Sequence, residues 1–110
     1  MSVYMGEWSG PADVASSFWV DESDISEFGG IIFATYDRED WDGSAFVLLL
    51  CDGVLFEVHG SHCSCNGLEG QWSPQETTKA AVIYQLDEGY IGRQPFADTL
   101  RTILAGLPGP

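Results

Sequence analysis

The sequence predicts an α+β domain in which a three-stranded antiparallel β-meander is followed by two C-terminal helices packed on the sheet. Two apolar segments flank an Asp-Gly pair, which is typical of a β-hairpin. A third segment rich in β-branched residues precedes them, and two stretches with helical periodicity follow. The length of 110 residues, of which 45% are hydrophobic, suits one domain with a single core.

Residues 1–29 carry weak structural signals and are expected to be acidic and partly irregular. Pro11 suits a first helical position, and Ser9 or Gly10 can precede it, so a short helix is predicted to begin there. Residues 20–30 are polar and predict a loop. Its expected contacts with the core are Ile25 and Phe28.

The meander is predicted within residues 30–59. Residues 31–36 are β-branched and aromatic, which favours a first strand. A polar connection with a turn at Asp42 and Gly43 leads to residues 45–51. Their side chains are apolar on both faces, as expected of a central strand covered on both sides.

A two-residue hairpin turn is predicted at Asp52 and Gly53, since glycine accepts positive φ at no steric cost. Residues 54–59 then form the return strand. Alternate residues of a strand face opposite sides of the sheet, so Glu57 and His59 are expected to share one face.

A capping box predicts the first of two helices within residues 73–107. Ser73 is its N-cap, Pro74 takes the first helical position, and Glu76 lies three residues after the cap. The helix is expected to end before Gly89.

The second helix is predicted to begin near Pro95 and to end before Pro108. Its apolar side chains recur at helical spacing and predict a stripe that faces the core. The stripe consists of Phe96, Leu100, Ile103, Leu104 and Leu107.

The charge balance indicates the class of partner. Seventeen acidic residues oppose four basic ones, which gives a formal net charge of −13. Such a charge repels nucleic acids and anionic membranes and attracts basic proteins. Ten of the acids lie in residues 1–42, where Arg38 is the one base. Direct binding of nucleic acid is therefore excluded, while solubility and adaptation to high salt are alternative explanations of the charge.

Cysteine usage and the N-terminus predict an intracellular, cytoplasmic protein. Three cysteines cannot form a closed disulfide framework. The N-terminal residues lack the basic start and apolar stretch of a signal peptide. No apolar run approaches the roughly 20 residues of a membrane span. We expect no membrane partner, and either a monomer or a homodimer.

The segment EVHGSHCSCNGLEGQW, residues 57–72, is the most unusual part of the chain. Residues 60–72 predict a buried, glycine- and cysteine-containing connector from the sheet to the first helix, with Leu68 and Trp72 closing the core. We expect no cofactor. The alternative is a zinc site, although Cys-x-Cys differs from the usual Cys-x2-Cys spacing. Its ligands would be His59, His62, Cys63 and Cys65.

A thiol-dependent enzyme is a weaker alternative. A cysteine nucleophile needs a base, for which His62 oriented by Glu57 is the candidate. Neighbouring residues of a strand face opposite ways, however, so the adjacency of His62 and Cys63 counts for little. The sequence also lacks a glycine-rich phosphate loop, an H-E-x-x-H motif and a G-x-S-x-G motif. We therefore expect no enzymatic activity.

The run GSHCSCNGLEGQW, residues 60–72, followed by SPQETT resembles a motif of small proteins encoded by bacteriophages and prophages, mostly of unassigned function. The preceding residues 42–61 extend the resemblance, which covers residues 42–78. It implies a shared fold and transfers no activity to any residue. Small acidic phage proteins often inhibit host defence, and some occupy the nucleic-acid groove of a nuclease or CRISPR complex.

Charge and resemblance together predict an anti-CRISPR-like or DNA-mimic-like inhibitor that binds a basic host protein, such as a nuclease or CRISPR-associated complex, and performs no chemistry. Duplex DNA carries one charge per about 1.7 Å of axis, so a mimic needs many carboxylates on one elongated face. Trp41 is the expected hydrophobic contact among them. Alternatively, these carboxylates are solvated loop charges and Trp41 packs on the sheet. The candidates are Asp21, Glu22, Asp24, Glu27, Glu39, Asp40 and Asp42.

Overall fold

A computed structural model describes residues 2–39, 42–62, 68 and 70–107. The chain divides into two compact units, Met1–Glu76 (unit 1) and Thr77–Pro110 (unit 2). The α+β class is confirmed. The predicted number of elements is wrong. The described residues form a mixed sheet of five strands, and they also form four α-helices.

The described residues contain five β-strands, four α-helices and one 3-10 turn. The strands are β1 (Val3–Gly6), β2 (Gly30–Glu39), β3 (Asp42–Cys51), β4 (Val54–His62) and β5 (Gln75–Thr77). The helices are α1 (Pro11–Phe18), α2 (Glu22–Ser26), α3 (Lys79–Glu88) and α4 (Ala97–Ala105), with the 3-10 turn Tyr90–Arg93 between α3 and α4.

The predicted meander forms the centre of the sheet. β2 pairs antiparallel with β3, and β3 pairs antiparallel with β4. Asp52 and Gly53 turn the hairpin with positive φ angles of 50° and 83°, as a type I′ turn requires. The sheet order β1-β2-β3-β4-β5 adds one strand at each edge.

The N-terminal segment is more regular than the sequence predicted. β1 pairs parallel to β2, and parallel strands need a long crossover connection. That crossover contains α1 and α2. The four residues of β1 give too short a period-2 pattern to stand out in the sequence, and the pairing with β2 makes them a strand.

The short helix predicted at Pro11 is confirmed as α1. At its start, the backbone N–H and the hydroxyl of Ser9 donate hydrogen bonds to the Asp13 carboxylate at 2.9 and 2.8 Å. These two hydrogen bonds lower the pKa of Asp13 from its ordinary value, since both favour the ionised carboxylate.

The loop predicted for residues 20–30 is wrong, because α2 lies within it. The backbone N–H of Asp21 donates to the Asp24 carboxylate at 3.0 Å and closes the first turn. Ile25 is buried, and the ring of Phe28 lies 5.4 Å from that of Phe56. Both predicted core contacts are thus confirmed, and they stabilise a helix too short to form alone.

The turn predicted at Asp42 and Gly43 is also wrong. Both residues belong to β3, where Asp42 pairs with Glu39 and Gly43 pairs with Arg38. β2 and β3 are longer than predicted, since each added pair extends the hydrogen-bonded ladder.

The capping box predicted at Ser73 does not begin a helix. The residues after Pro74 form β5, and α3 begins at Lys79. Its N-cap is Thr78, whose hydroxyl accepts a hydrogen bond from the Ala81 N–H at 3.0 Å. Sheet pairing and the extended preference of threonine override the local capping signal. The predicted end before Gly89 is confirmed.

Unit 2 contains α3 and α4. Two of its three basic side chains link α3 to α4 or to the residues after it. Lys79 Nζ donates to the Leu107 carbonyl at 3.0 Å, and Arg101 of α4 lies 2.8 Å from Asp87 of α3. In α4 the predicted stripe is partly confirmed, since Leu100 and Leu104 are fully buried. The predicted stop at Pro108 lies outside the described residues. The expected packing of the two helices on the sheet stays a prediction.

The main core of unit 1 joins α1 and α2 to one face of the sheet. Phe18 lies at its centre, with ring centroids 5.9 Å from Trp8 and 5.3 Å from Trp72. Side chains on both faces of β3 are buried, which confirms it as a central strand. No described helix is both long and apolar enough to cross a lipid bilayer. The sheet residues of this core are Ile31, Ala34, Tyr36, Ala45, Val47, Leu49 and Val58.

Candidate protein-binding surface

Unit 1 carries the entire net charge of the protein. Fourteen of the seventeen acidic residues lie in Met1–Glu76, where Arg38 is the one base, and this leaves a formal charge of −13. Unit 2 has three acidic and three basic residues and is formally neutral. Unit 1 is therefore the unit that would attract basic proteins at long range.

Four of the predicted partner-binding residues are brought together by α2. These α2 carboxylates are Asp21, Glu22, Asp24 and Glu27. Three are exposed, whereas Asp24 is half-buried and accepts the hydrogen bond from Asp21. The helix therefore presents three exposed carboxylates, while Asp24 closes its first turn.

The other predicted residues lie at the opposite end of β2. α2 leads directly into the start of β2 at Gly30, while Glu39 and Asp42 pair with each other where β2 and β3 meet. Nine steps of a strand at about 3.3 Å each span roughly 30 Å. The backbone of Glu39 and Asp42 thus lies at the far end of β2 from the residues that follow α2. Asp40 and Trp41 lie outside the described residues.

Trp19 is an exposed aromatic residue that the sequence prediction missed. Its relative exposure is 78%, although it directly follows the buried Phe18. It has the left-handed conformation, with φ 59° and ψ 43°, just after α1. The Val20 N–H donates to the Ala15 carbonyl at 3.0 Å, and the Trp19 N–H to the Ser16 carbonyl at 3.3 Å.

These two hydrogen bonds define a Schellman motif, in which glycine usually occupies the position of Trp19. The spacing of the α1 residues does not predict its exposure. The buried residues of α1 are Val14, Ala15 and Phe18, which follow helical spacing. Trp19 lies four residues after the buried Ala15, so helical spacing alone would place it beside this stripe. It is exposed because the chain leaves the helix in a left-handed conformation after Phe18.

The structure describes two residues of the predicted zinc site, His59 and His62. His59 Nε2 lies 2.8 Å from Glu57 Oε1, and the His59 ring stands edge-on to Phe46 at 5.0 Å. β4 continues past the predicted end at residue 59, and His62 pairs with Gly43. Cys63 and Cys65 lie outside the described residues. Among the residues that are described, no group of three His, Cys, Asp or Glu side chains could hold a metal ion.

Cys51 lies at the hairpin end of β3. It pairs with Val54 beside the hairpin turn, whereas His59 pairs with Phe46 farther along the sheet. The thiol of Cys51 is partly buried. Glu57 and His59 share a face, as predicted, and their contact orients the imidazole. The zinc site and the thiol-dependent enzyme remain predictions.

The described part of the connector is attached to the edge of β4 by Gln71. Its side-chain carbonyl accepts from the Ser61 N–H at 2.8 Å, and its amide donates to the Ser61 carbonyl at 2.7 Å. This pair of hydrogen bonds imitates those of a neighbouring strand. Leu68 is fully buried and Trp72 packs against Phe18, so both predicted core contacts are confirmed.

Gly60 explains why this connector can pack so closely. A Cβ atom at Gly60 would lie 3.1 Å from Leu68 Cδ2 and 3.3 Å from Phe18 Cε1. These are tighter than ordinary van der Waals contacts. In the unusual segment, structural roles are thus established for Gly60, Leu68, Gln71 and Trp72.

Replacing Gln71 with alanine is expected to reduce the free energy of unfolding of unit 1 by about 1 to 2 kcal/mol, since two hydrogen bonds are lost. The Ser61 amide hydrogen should then exchange faster with solvent, which hydrogen exchange by NMR measures. Gln75→Ala, at an exposed glutamine, is the matched control. Equal exchange of the Ser61 amide in Gln71→Ala and wild type would contradict the role of Gln71.

Comparisons with protein-family models, curated proteins and solved structures find no match for this chain.

Proposed function

We propose that the protein is an inhibitor that binds a basic, nucleic-acid-handling defence protein of a bacterial host and blocks its nucleic-acid site by steric and electrostatic occlusion. It requires no chemistry and no cofactor. The partner class is a nuclease or CRISPR-associated complex, as the resemblance to phage proteins implies. The host cytoplasm is the proposed location.

The observation that carries this function is the location of the charge. A formal charge of −13 is confined to unit 1, in which Arg38 is the one base. Proteins that handle nucleic acids bind phosphates with lysine and arginine side chains, and a surface built for phosphates also attracts carboxylates. The two groups of acidic residues at the ends of β2 would present charge along a length of roughly 30 Å.

Occlusion by charge predicts binding that depends strongly on salt. At about 0.1 M ionic strength the Debye length is about 10 Å, whereas at about 1 M it is about 3 Å. Exposed carboxylates such as Glu22 and Glu27 therefore attract a partner over a much longer distance at low salt.

The immobilised protein is expected to capture nucleic-acid-binding proteins from a bacterial lysate at low salt, to lose them at high salt, and to release them when excess duplex DNA is added. Mass spectrometry identifies the captured proteins. Capture that is equal at both salt concentrations, or that duplex DNA leaves unchanged, would argue against a charge-driven inhibitor of a nucleic-acid site.

A further inference from the structure

The exposed side chain of Trp19 has no role in the core of unit 1. Its relative exposure is 78%, compared with 67% for Tyr84 and 38% for Val54, which are the other exposed large hydrophobic residues in the described part of the chain. Tyr84 lies in unit 2, which is formally neutral. Trp19 therefore combines high aromatic exposure with a position in the acidic unit.

The backbone at Trp19 also favours a different residue. With φ at 59°, an L-residue places its Cβ close to the following carbonyl oxygen, and a bulky side chain is rare there. Glycine would complete the same Schellman motif without this crowding. The stability of α1 thus does not account for a tryptophan at this position, and the side chain itself must supply the reason.

We infer that Trp19 is the contact residue for an arginine or lysine side chain of the partner protein, with the guanidinium or ammonium group lying on the indole face. This inference rests on the proposed function and specifies its binding surface. A cation over the face of tryptophan is attracted by the ring quadrupole. The exposed carboxylates of Asp21 and Glu22 follow two and three residues later and complement the same cation.

Charge selects this occupant over other candidates. A second copy of the chain brings another −13 and would be repelled at low salt. An acidic or nucleic-acid ligand would be repelled in the same way. A basic protein segment can place a cation on the aromatic face of Trp19 and is also attracted by the adjacent carboxylates.

The test uses an oligo-arginine peptide with blocked termini, titrated into the full-length protein and followed by isothermal calorimetry and by NMR. The Trp19 indole N–H resonance, assigned by its absence in Trp19→Ala, is expected to shift as the peptide is added. Trp19→Ala should weaken peptide binding about two- to fivefold. Tyr84→Ala, which removes an exposed aromatic side chain from the neutral unit, should leave binding unchanged.

Trp19→Gly separates a binding role from a structural one. It is expected to weaken peptide binding as much as Trp19→Ala does and to raise the melting temperature, because glycine accepts the left-handed conformation. If both variants bind the peptide with wild-type affinity, the role of Trp19 is overturned and the proposed function stands. If the wild-type protein does not bind the peptide at low salt, both are overturned.

Discussion

Replacing Phe18 with alanine is expected to destabilise unit 1 by about 3 to 5 kcal/mol, as for other buried phenylalanines. Phe18 is 1% exposed and packs against both Trp8 and Trp72. It is also the side chain that joins α1 to the connector, because its ring approaches Gly60. Removing the ring leaves a cavity lined by Trp8, Gly60 and Trp72, which the rest of the core cannot easily fill.

Urea denaturation followed by circular dichroism measures this loss. The adjacent Trp19 provides the matched control, since it is also aromatic and 78% exposed. Trp19→Ala should change the free energy of unfolding by no more than about 0.5 kcal/mol, as is usual for surface substitutions. A similar loss in the two variants would contradict an α1 that buries Phe18 and exposes Trp19.

The features that the sequence predicted correctly depend on short stretches of chain. The turn at Asp52 and Gly53 forms because these two residues accept positive φ, and the apolar residues on either side then pair as strands. The helix at Pro11 and the end of α3 before Gly89 follow from residues within one turn. Such local preferences can be recognised without knowing what else the chain contacts.

The features that were wrong depend on contacts between distant segments. The capping signal at Ser73 is sound locally, but the residues after Pro74 pair at the edge of the sheet and the helix begins later. β1 is a strand because it pairs with Phe33 and its neighbours in β2, about 30 residues along the chain. No short window of sequence contains that information.

The candidate surface shows the same division. Composition alone identified residues 1–42 as rich in acids, and four of the candidate carboxylates lie on or beside α2, a helix that was not predicted. The exposure of Trp19 could not be recognised from composition. It depends on where α1 ends, because a shift of one residue exchanges the buried Phe18 with the exposed Trp19.

The location of the charge, rather than its total, is central to the proposed function. Two variants remove three carboxylates each and therefore have the same net charge. One replaces the exposed acidic residues of α2 and its caps, as Asp21→Asn, Glu22→Gln and Glu27→Gln, and leaves Asp24 to close the first turn. Asparagine is as good an N-cap as aspartate, so α2 should be retained.

The other variant neutralises the three acidic residues of unit 2, as Asp87→Asn, Glu88→Gln and Asp98→Asn. It breaks the contact between Asp87 and Arg101, in which both side chains are about half exposed. The loss of such a surface pair changes stability little. Far-UV circular dichroism should show both variants folded like the wild type.

The most direct measurement is the association rate of each variant with a nucleic-acid-binding protein captured from the lysate, determined by surface plasmon resonance at low salt. The unit 1 variant is expected to associate about tenfold more slowly than wild type, since steering depends on charge near the contact. The unit 2 variant should associate at nearly the wild-type rate. Equal slowing of both variants, or of neither, would contradict a binding surface at α2.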